Sequence, residues 1–176
     1  MSSASPIDGS VQASEELVEA CRRVAAEDPA QEPDLALALT RLSNRLSTAL
    51  SARKALLAAQ EAVHLYQRHA DAHSHADTAA LARALNVFAL RLAEVGRRDK
   101  ALFESERAVE MQRRRVEEGS DDGNGAGVHP ASDLADSLET LSLCLRESGR
   151  DHDSRTAARE ADEIRANLRT RRTDHF

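Results

Sequence analysis

Four histidines lie close together in the sequence and have spacing compatible with a metal site. His69 and His73 are four residues apart, so on one helix face both could bind Zn²⁺. His64 and His75 lie on either side of them. No Cys supports the cluster, and Ala76 interrupts the ligand spacing. The sequence therefore favours a polar connection with solvated histidines over a metal site, and it predicts no cofactor.

The two cysteines are the only thiols that could act as nucleophiles. Neither has a local Cys/His constellation that would activate it. Cys21 shares an apolar stripe with Leu17 and Val24, which predicts a core position. Cys144 falls in a repeat column with Arg45, which predicts a more exposed position. We therefore expect a protein that is not an enzyme.

One segment, GSDDGNGAGVHP (119–130), is rich in glycine and contains two aspartates. It lacks the Lys-Ser/Thr of a phosphate-binding loop and the distal acidic residue of a Ca²⁺ loop. The segment is predicted to be a flexible loop that could be shortened at little cost, because loop closure depends only weakly on length.

Two short basic runs could hold nucleic acid, Arg113–Arg115 and the cluster of Arg169, Arg171 and Arg172. Stacking aromatics are scarce, since the chain has one Tyr, three Phe and no Trp. The net charge of −6 also disfavours a general nucleic-acid binder. The sequence thus predicts neither nucleic-acid nor membrane binding.

Composition indicates which elements must carry these residues. Hydrophobic residues make up 41% of the 176 residues, and they are mostly Ala (32) and Leu (21). These are strong helix formers, whereas strand formers are scarce. No apolar stretch approaches the roughly 18 residues of a membrane helix. We expect an all-α protein located in the cytoplasm.

Proline and glycine divide the chain into helical segments, because Pro cannot continue a helix interior and Gly weakens one. Residues 1–12 and 170–176 are predicted to be disordered tails around a single domain at 13–169. The predicted helices are 14–27, 34–48, 52–70, 78–95, 98–117, 131–148 and 152–169.

Three segments repeat the same pattern, at 34–70, 78–117 and 131–169. Their first helices share apolar columns, and a small column follows at Ser43, Ala89 and Ser142. Their second helices share a small column at Ala62, Ala108 and Ala161. Small residues at such positions let two helices approach closely. The pattern therefore predicts three antiparallel helical hairpins stacked in an α-solenoid.

These columns resemble the tetratricopeptide repeat in its long-helix, kinesin light chain-like subclass. Phrases such as Leu42-Ser43-Asn44-Arg45-Leu46 carry the resemblance, which covers about 16–168. The turn column reads Leu50, Gly96, Gly149, so a Leu replaces the first Gly and predicts an irregular first turn.

The two ends of the array differ. The helix at 14–27 resembles a second helix without its first, which we call the orphan helix. The third repeat has Arg155 and Asp162 where earlier repeats have Leu and Val, so it resembles a polar cap. The orphan helix suggests self-association into a homo-oligomer, or a piece of a longer signalling protein, as alternative functions.

The resemblance implies that the first helices line a concave groove that binds a peptide or a partner protein. Asn44 and Asn86 suit this role because an amide both donates and accepts hydrogen bonds. Arg41 and Arg83 would attract an acidic or C-terminal peptide. The predicted function is that of a scaffold or adaptor, and the predicted partner-binding residues are Arg41, Asn44, Arg83, Asn86, Val87, Leu90, Glu139 and Leu143.

Overall fold

Helices account for 91% of the residues described by the computed structural model, which are 6–70, 75–119 and 129–173. No strand occurs in these ranges, and the prediction of an all-α protein is confirmed. A short 3-10 turn (Pro29–Gln31) separates the first two α-helices. The helices are α1 (Pro6–Glu27), α2 (Glu32–Thr48), α3 (Ala52–Ala70), α4 (His75–Glu94), α5 (Arg98–Glu117), α6 (Pro130–Glu147) and α7 (Asp151–Thr173).

The chain divides into two compact units, 1–73 and 74–176. In the first unit α2 packs against both α1 and α3. Its apolar residues recur at helical spacing and form one face, which is buried against the two neighbouring helices. The buried leucines of this face are Leu35, Leu39, Leu42 and Leu46.

In the second unit α4 pairs with α5 and α6 pairs with α7, while α6 also packs against α4 and α5. A core cluster joins the last three helices of this unit. It consists of Val109, Leu134, Ala135, Leu138, Leu145, Ala157 and Ala161. The predicted hairpins α2–α3, α4–α5 and α6–α7 are therefore present.

In two of these hairpins, an equivalent serine hydroxyl links the first helix to the second. The Ser43 hydroxyl donates to the Ala55 carbonyl across 2.8 Å, and the Ser142 hydroxyl donates to the Ser154 carbonyl across 3.0 Å. Both donors belong to the predicted small column. A small side chain at this column lets the two helices approach until its hydroxyl reaches the backbone of the second helix. This close approach explains why small residues repeat in the column.

The largest differences from the predicted helix boundaries are the start of α1 and the end of α7. Helix α1 begins at Pro6, so residues 6–12, assigned to a tail, are helical. Proline suits a helix start, and the Arg45 guanidinium ties this first part to the body by donating to the Ser10 carbonyl. Helix α7 continues to Thr173, beyond the predicted end at 169.

Three further sequence predictions concern the Gly-rich loop with the histidines, the first turn and membrane-spanning helices. The Gly-rich loop falls mostly on 120–128, which lie outside the described residues, and His73 does too. The prediction of an irregular first turn is wrong, because Leu50 has a φ angle of 57°, close to the 76° of Gly96 and Gly149. None of the described helices is long and apolar enough to cross a bilayer.

Candidate partner-binding surface

The predicted partner-binding residues lie on first helices of both units. Arg41 and Asn44 lie on α2 in the first unit, and both side chains are exposed. Leu37, one turn before Arg41, is 41% exposed. This face of α2 therefore presents polar groups beside an accessible apolar side chain.

The other six predicted residues lie on the adjacent helices α4 and α6 of the second unit. Two hydrogen bonds hold these helices together. The Arg83 guanidinium donates to the Asp133 carboxylate across 3.0 Å, and the Asn86 amide donates to the Ser137 hydroxyl across 2.8 Å. Arg83 and Asn86 thus join the two helices, a role that the sequence analysis did not assign to them.

Apolar side chains lie among these polar contacts. Val87 and Leu90 on α4 are half-buried, and Leu143 on α6 is 37% exposed. The hydrogen bonds between α4 and α6 reduce the freedom of the surface that carries them. Binding of a partner to this surface would therefore cost less conformational entropy than binding to a mobile surface.

A buried ion pair lies at the base of this surface. Arg115, on α5, is 2% exposed, and its guanidinium lies 3.3 Å from the Asp133 carboxylate. It also donates to the Gln112 side-chain oxygen across 2.6 Å. Because Arg83 binds the same carboxylate oxygen, one aspartate ties α4, α5 and α6 together. The pair fixes the geometry of the surface above it.

Glu139, one turn before Leu143 on α6, takes part in an ion-pair cluster with α7. The Arg165 guanidinium, on α7, contacts the carboxylates of Glu139 and Asp136, each across 2.8 Å. The hydrogen bond to Arg165 lowers the pKa of Glu139 below its usual value, and the two carboxylates raise the pKa of Arg165. Glu139 is therefore charge-compensated rather than a free acidic group.

The basic run at Arg113–Arg115 separates into three different contacts. Arg113 pairs with Glu160 on α7, Arg114 pairs with Glu110 on its own helix, and Arg115 is buried. Successive residues on a helix point about 100° apart, so a run in sequence is not a patch in space. The run therefore forms no continuous basic surface.

Both cysteine predictions need correction. Cys144 is 1% exposed instead of surface-exposed, because it lies on the side of α6 that faces Ser105 of α5. Burial raises the pKa of its thiol, against the opposing effect of a hydrogen bond with the Ser105 hydroxyl. Cys21 is only partly buried, although a core position was predicted. Neighbouring helices reverse the expected order of exposure.

The histidines give no assembled metal site in the described part of the chain. His64 is exposed and His69 is half-buried, both on α3. No group of three or more His, Cys, Asp or Glu side chains that could hold a metal ion occurs among the described residues.

Sequence reasoning missed Asp133, Ser137, Arg115 and Arg165 as residues that shape this surface. A partial signal was present, since Asp133 lies in the first turn of α6 and Arg115 in the last turn of α5. Both places are ordinary for these charges on isolated helices. Only the packing of three helices brings the two side chains together and away from water.

Comparison with known proteins gives structural similarity alone. No family model matches the chain. No curated protein matches it either. Three similar solved structures are BtubC (BKLC) from P. vanneervenii (14% identity, 94% of this chain and 93% of that chain, TM-score 0.29), the DHF58 filament (18%, 97% and 85%, 0.46) and MamA (12%, 96% and 99%, 0.37). Identities and TM-scores this low carry no argument about function.

Proposed function

We propose that this chain is a non-catalytic protein-interaction module, a scaffold or adaptor that binds a peptide or partner protein on its first helices. The observation that carries this proposal is the surface of α4 and α6. Val87, Leu90 and Leu143 are partly accessible apolar side chains on two helices that hydrogen bonds hold together.

The charges of this surface indicate the chemistry of the partner. Arg83, Arg115 and Arg165 are balanced by acidic neighbours on α6, namely Asp133, Asp136 and Glu139. Apolar contact, rather than net charge, would therefore supply most of the affinity at the second unit. Separately, in the first unit, Arg41 and Asn44 on α2 would bind polar groups of a partner, the asparagine by pairing with a peptide backbone.

A quantitative pull-down from a lysate tests the proposal. Leu143→Glu places a charge on the surface without disturbing the core, since Leu143 is partly exposed. Partners that bind this surface should be recovered at less than about one tenth of the wild-type level, because an unpaired charge in an apolar contact costs several kcal/mol. Asn44→Ala tests the first unit by itself and should lower the recovery of partners that bind α2.

Phe103→Glu is the matched control. Phe103 is 58% exposed on the second helix α5, away from the proposed surface. Its substitution should leave recovery unchanged. If Phe103→Glu abolishes binding while Leu143→Glu with Asn44→Ala retains every partner, the first helices are not the binding surface.

A further inference from the structure

Two equivalent ion pairs indicate whether α1 corresponds to the first or to the second helix of a hairpin. Arg22 on α1 pairs with Glu61 on α3 across 2.9 Å, and Arg113 on α5 pairs with Glu160 on α7 across 2.8 Å. Glu61 and Glu160 occupy the same repeat column. Arg22 therefore corresponds to Arg113, and α1 corresponds to the second helix of a hairpin.

This correspondence shows that one face of α1 has no first helix packed on it among the described helices. On α5 the residues Ala108, Gln112 and Arg115 are at most 2% exposed, and that helix has α4 on one side and α6 on the other. The corresponding residues on α1 are Leu17, Cys21 and Val24. Leu17 is 47% exposed and Val24 51% exposed, and Cys21 is half-buried. Two large apolar side chains thus occupy a position that a first helix covers elsewhere in the chain.

The spacing of the apolar residues on α1 is palindromic. Leu17, Ala20, Cys21 and Val24, here called the α1 stripe, are separated by three, one and three residues. An antiparallel copy of α1 placed about a two-fold axis would set Leu17 opposite Val24 of the partner subunit. Ala20 would lie opposite Cys21 of the partner subunit. Small residues near the axis would allow the two helices to approach closely.

The charges flanking the stripe favour the same arrangement. The N-terminal half of α1 carries Glu16 and the C-terminal half carries Arg23, both exposed. Antiparallel pairing brings Glu16 near Arg23 of the partner subunit, and symmetry repeats the contact.

Head-to-tail stacking of copies is disfavoured by the outer face of α7. That face carries Arg155, Arg159 and Asp162, all exposed. Burying these charges against the α1 stripe would cost several kcal/mol without opposite charges to pair them. The stripe therefore matches another α1 stripe better than it matches α7.

A small cavity lies at one end of the stripe. It has a volume of about 200 Å³ and is lined by Ala20, Cys21, Val24, Gln31 and Asp34. In the antiparallel arrangement Leu17 of the partner subunit lies beside Val24, at this cavity. The cavity is large enough to receive a leucine side chain.

We infer that the protein forms a two-fold symmetric homodimer through the α1 stripe, with a second copy of α1 covering the face on which Leu17 and Val24 are exposed. Isologous dimers are the commonest symmetric assembly. The stripe spans about two helical turns, roughly 11 Å. Such a contact is smaller than a standard interface, so we expect a weak dimer with a dissociation constant of roughly tens of micromolar.

Sedimentation velocity across protein concentrations from about 5 to 500 μM tests this inference on the full chain. The wild type should shift from monomer to dimer over this range. Val24→Glu should stay monomeric, with unchanged helicity because Val24 is exposed. Leu57→Glu, a change at a 65% exposed leucine on α3, is the matched control and should dimerise as the wild type does.

Charge reversal provides the second arm of the test. Glu16→Arg should weaken the dimer by about tenfold, because it places two positive groups at each contact. Combining it with Arg23→Glu should restore wild-type affinity. A merely structural effect of either substitution would not be reversed by the other.

Oxidation of Cys21 reports on the two-fold axis. Cys21 lies next to that axis, so the oxidant diamide should join two chains through Cys21 by converting two thiols to one disulfide. Cys144 is buried and should not compete. A wild type that is monomeric at every concentration, or a dimer that Val24→Glu leaves equally strong, would overturn the inference. Equal cross-linking of the wild type and Val24→Glu would do so too.

Discussion

Single residues set the conformation of the turns that close the three hairpins. Leu50, Gly96 and Gly149 all have positive φ angles of 57°, 76° and 76°. Each turn also contains a hydrogen bond from the following amide to the carbonyl five residues earlier, as in the Schellman motif. These bonds are Ser51 to Leu46, Arg97 to Leu92 and Arg150 to Leu145. The first turn forms despite its leucine.

Replacing that leucine should stabilise the protein. Leu50→Gly removes a side chain that is 94% exposed and relieves a left-handed conformation that costs a non-Gly residue about 1–2 kcal/mol. After subtracting the entropy cost of glycine, we expect the free energy of unfolding to rise by about 0.5–1 kcal/mol. Urea denaturation measures this change.

Gly149→Leu is the converse experiment. Nothing lies within 4 Å of a Cβ placed on Gly149, so only backbone strain should act. This variant should lose about 1–2 kcal/mol. Equal stability of both variants and the wild type would show that the φ angle at these turn positions does not affect the free energy of unfolding.

A single carboxylate, Asp133, joins three helices of the second unit. Asp133→Ala removes the carboxylate that the Arg83 guanidinium and the buried Arg115 guanidinium both contact, which should lower the free energy of unfolding by about 3–5 kcal/mol. The control is Asp136→Ala, whose carboxylate is 64% exposed and should matter by at most about 1 kcal/mol. Similar losses in both variants would contradict the role of the buried pair.

The two thiols should differ in reactivity. Cys144 is 1% exposed and burial raises its pKa, so it has little thiolate and little access. Cys21 is only partly buried. A thiol reagent at neutral pH should label Cys21 rapidly in the native protein and Cys144 only after denaturation. Rapid labelling of Cys144 in Cys21→Ser would show that α6 opens readily.

Helix pairs are held at close distance by alanines. Ala62, Ala108 and Ala161 are at most 1% exposed, which confirms their predicted place between helices. The apolar leucines of the first helices lie around them. The short distance between the two helices of each hairpin therefore depends on the small size of these alanine side chains as well as on the larger residues around them.

Enlarging one of these alanines should be costly. Ala108→Leu should overpack the contact between α4 and α5 and lower the free energy of unfolding by about 1–3 kcal/mol. Ala166→Leu on the exposed surface of α7 is the control and should be nearly neutral. Thermal and urea denaturation of the two variants distinguish these outcomes. A neutral Ala108→Leu would mean that the hairpin is loosely packed.

The whole molecule consists of two units that each have internal packing. In the second unit α4–α7 share the buried Arg115–Asp133 pair and the core cluster around Leu138. Stability in helical repeats is roughly a sum of repeat and neighbour terms, so a part with two complete hairpins can fold alone.

We therefore expect the fragment 74–176 to fold by itself. It should be largely helical and should unfold cooperatively in far-UV circular dichroism. Asp133→Ala in the fragment should lower its melting temperature markedly, since the pair it breaks lies wholly within the fragment. A fragment without helicity would show that the second unit depends on residues of the first.

Periodicity in the sequence determined the helical hairpins. Apolar residues at 3.6-residue spacing and small columns shared by three segments are local properties that survive without knowledge of neighbours, so they predicted α2–α7 within a few residues. The exposure of the Arg155 and Asp162 positions on α7 followed from the same columns.

Only the tertiary structure decided which polar groups are buried and which apolar groups are not. Arg115 and Cys144 are buried, and Leu17 and Val24 are exposed, because exposure depends on the helix that packs on each face. Sequence spacing assigns a residue to a face but does not say whether a neighbour covers it. For α1 that cover is absent among the described helices, and this is the physical reason why its apolar stripe was mistaken for core.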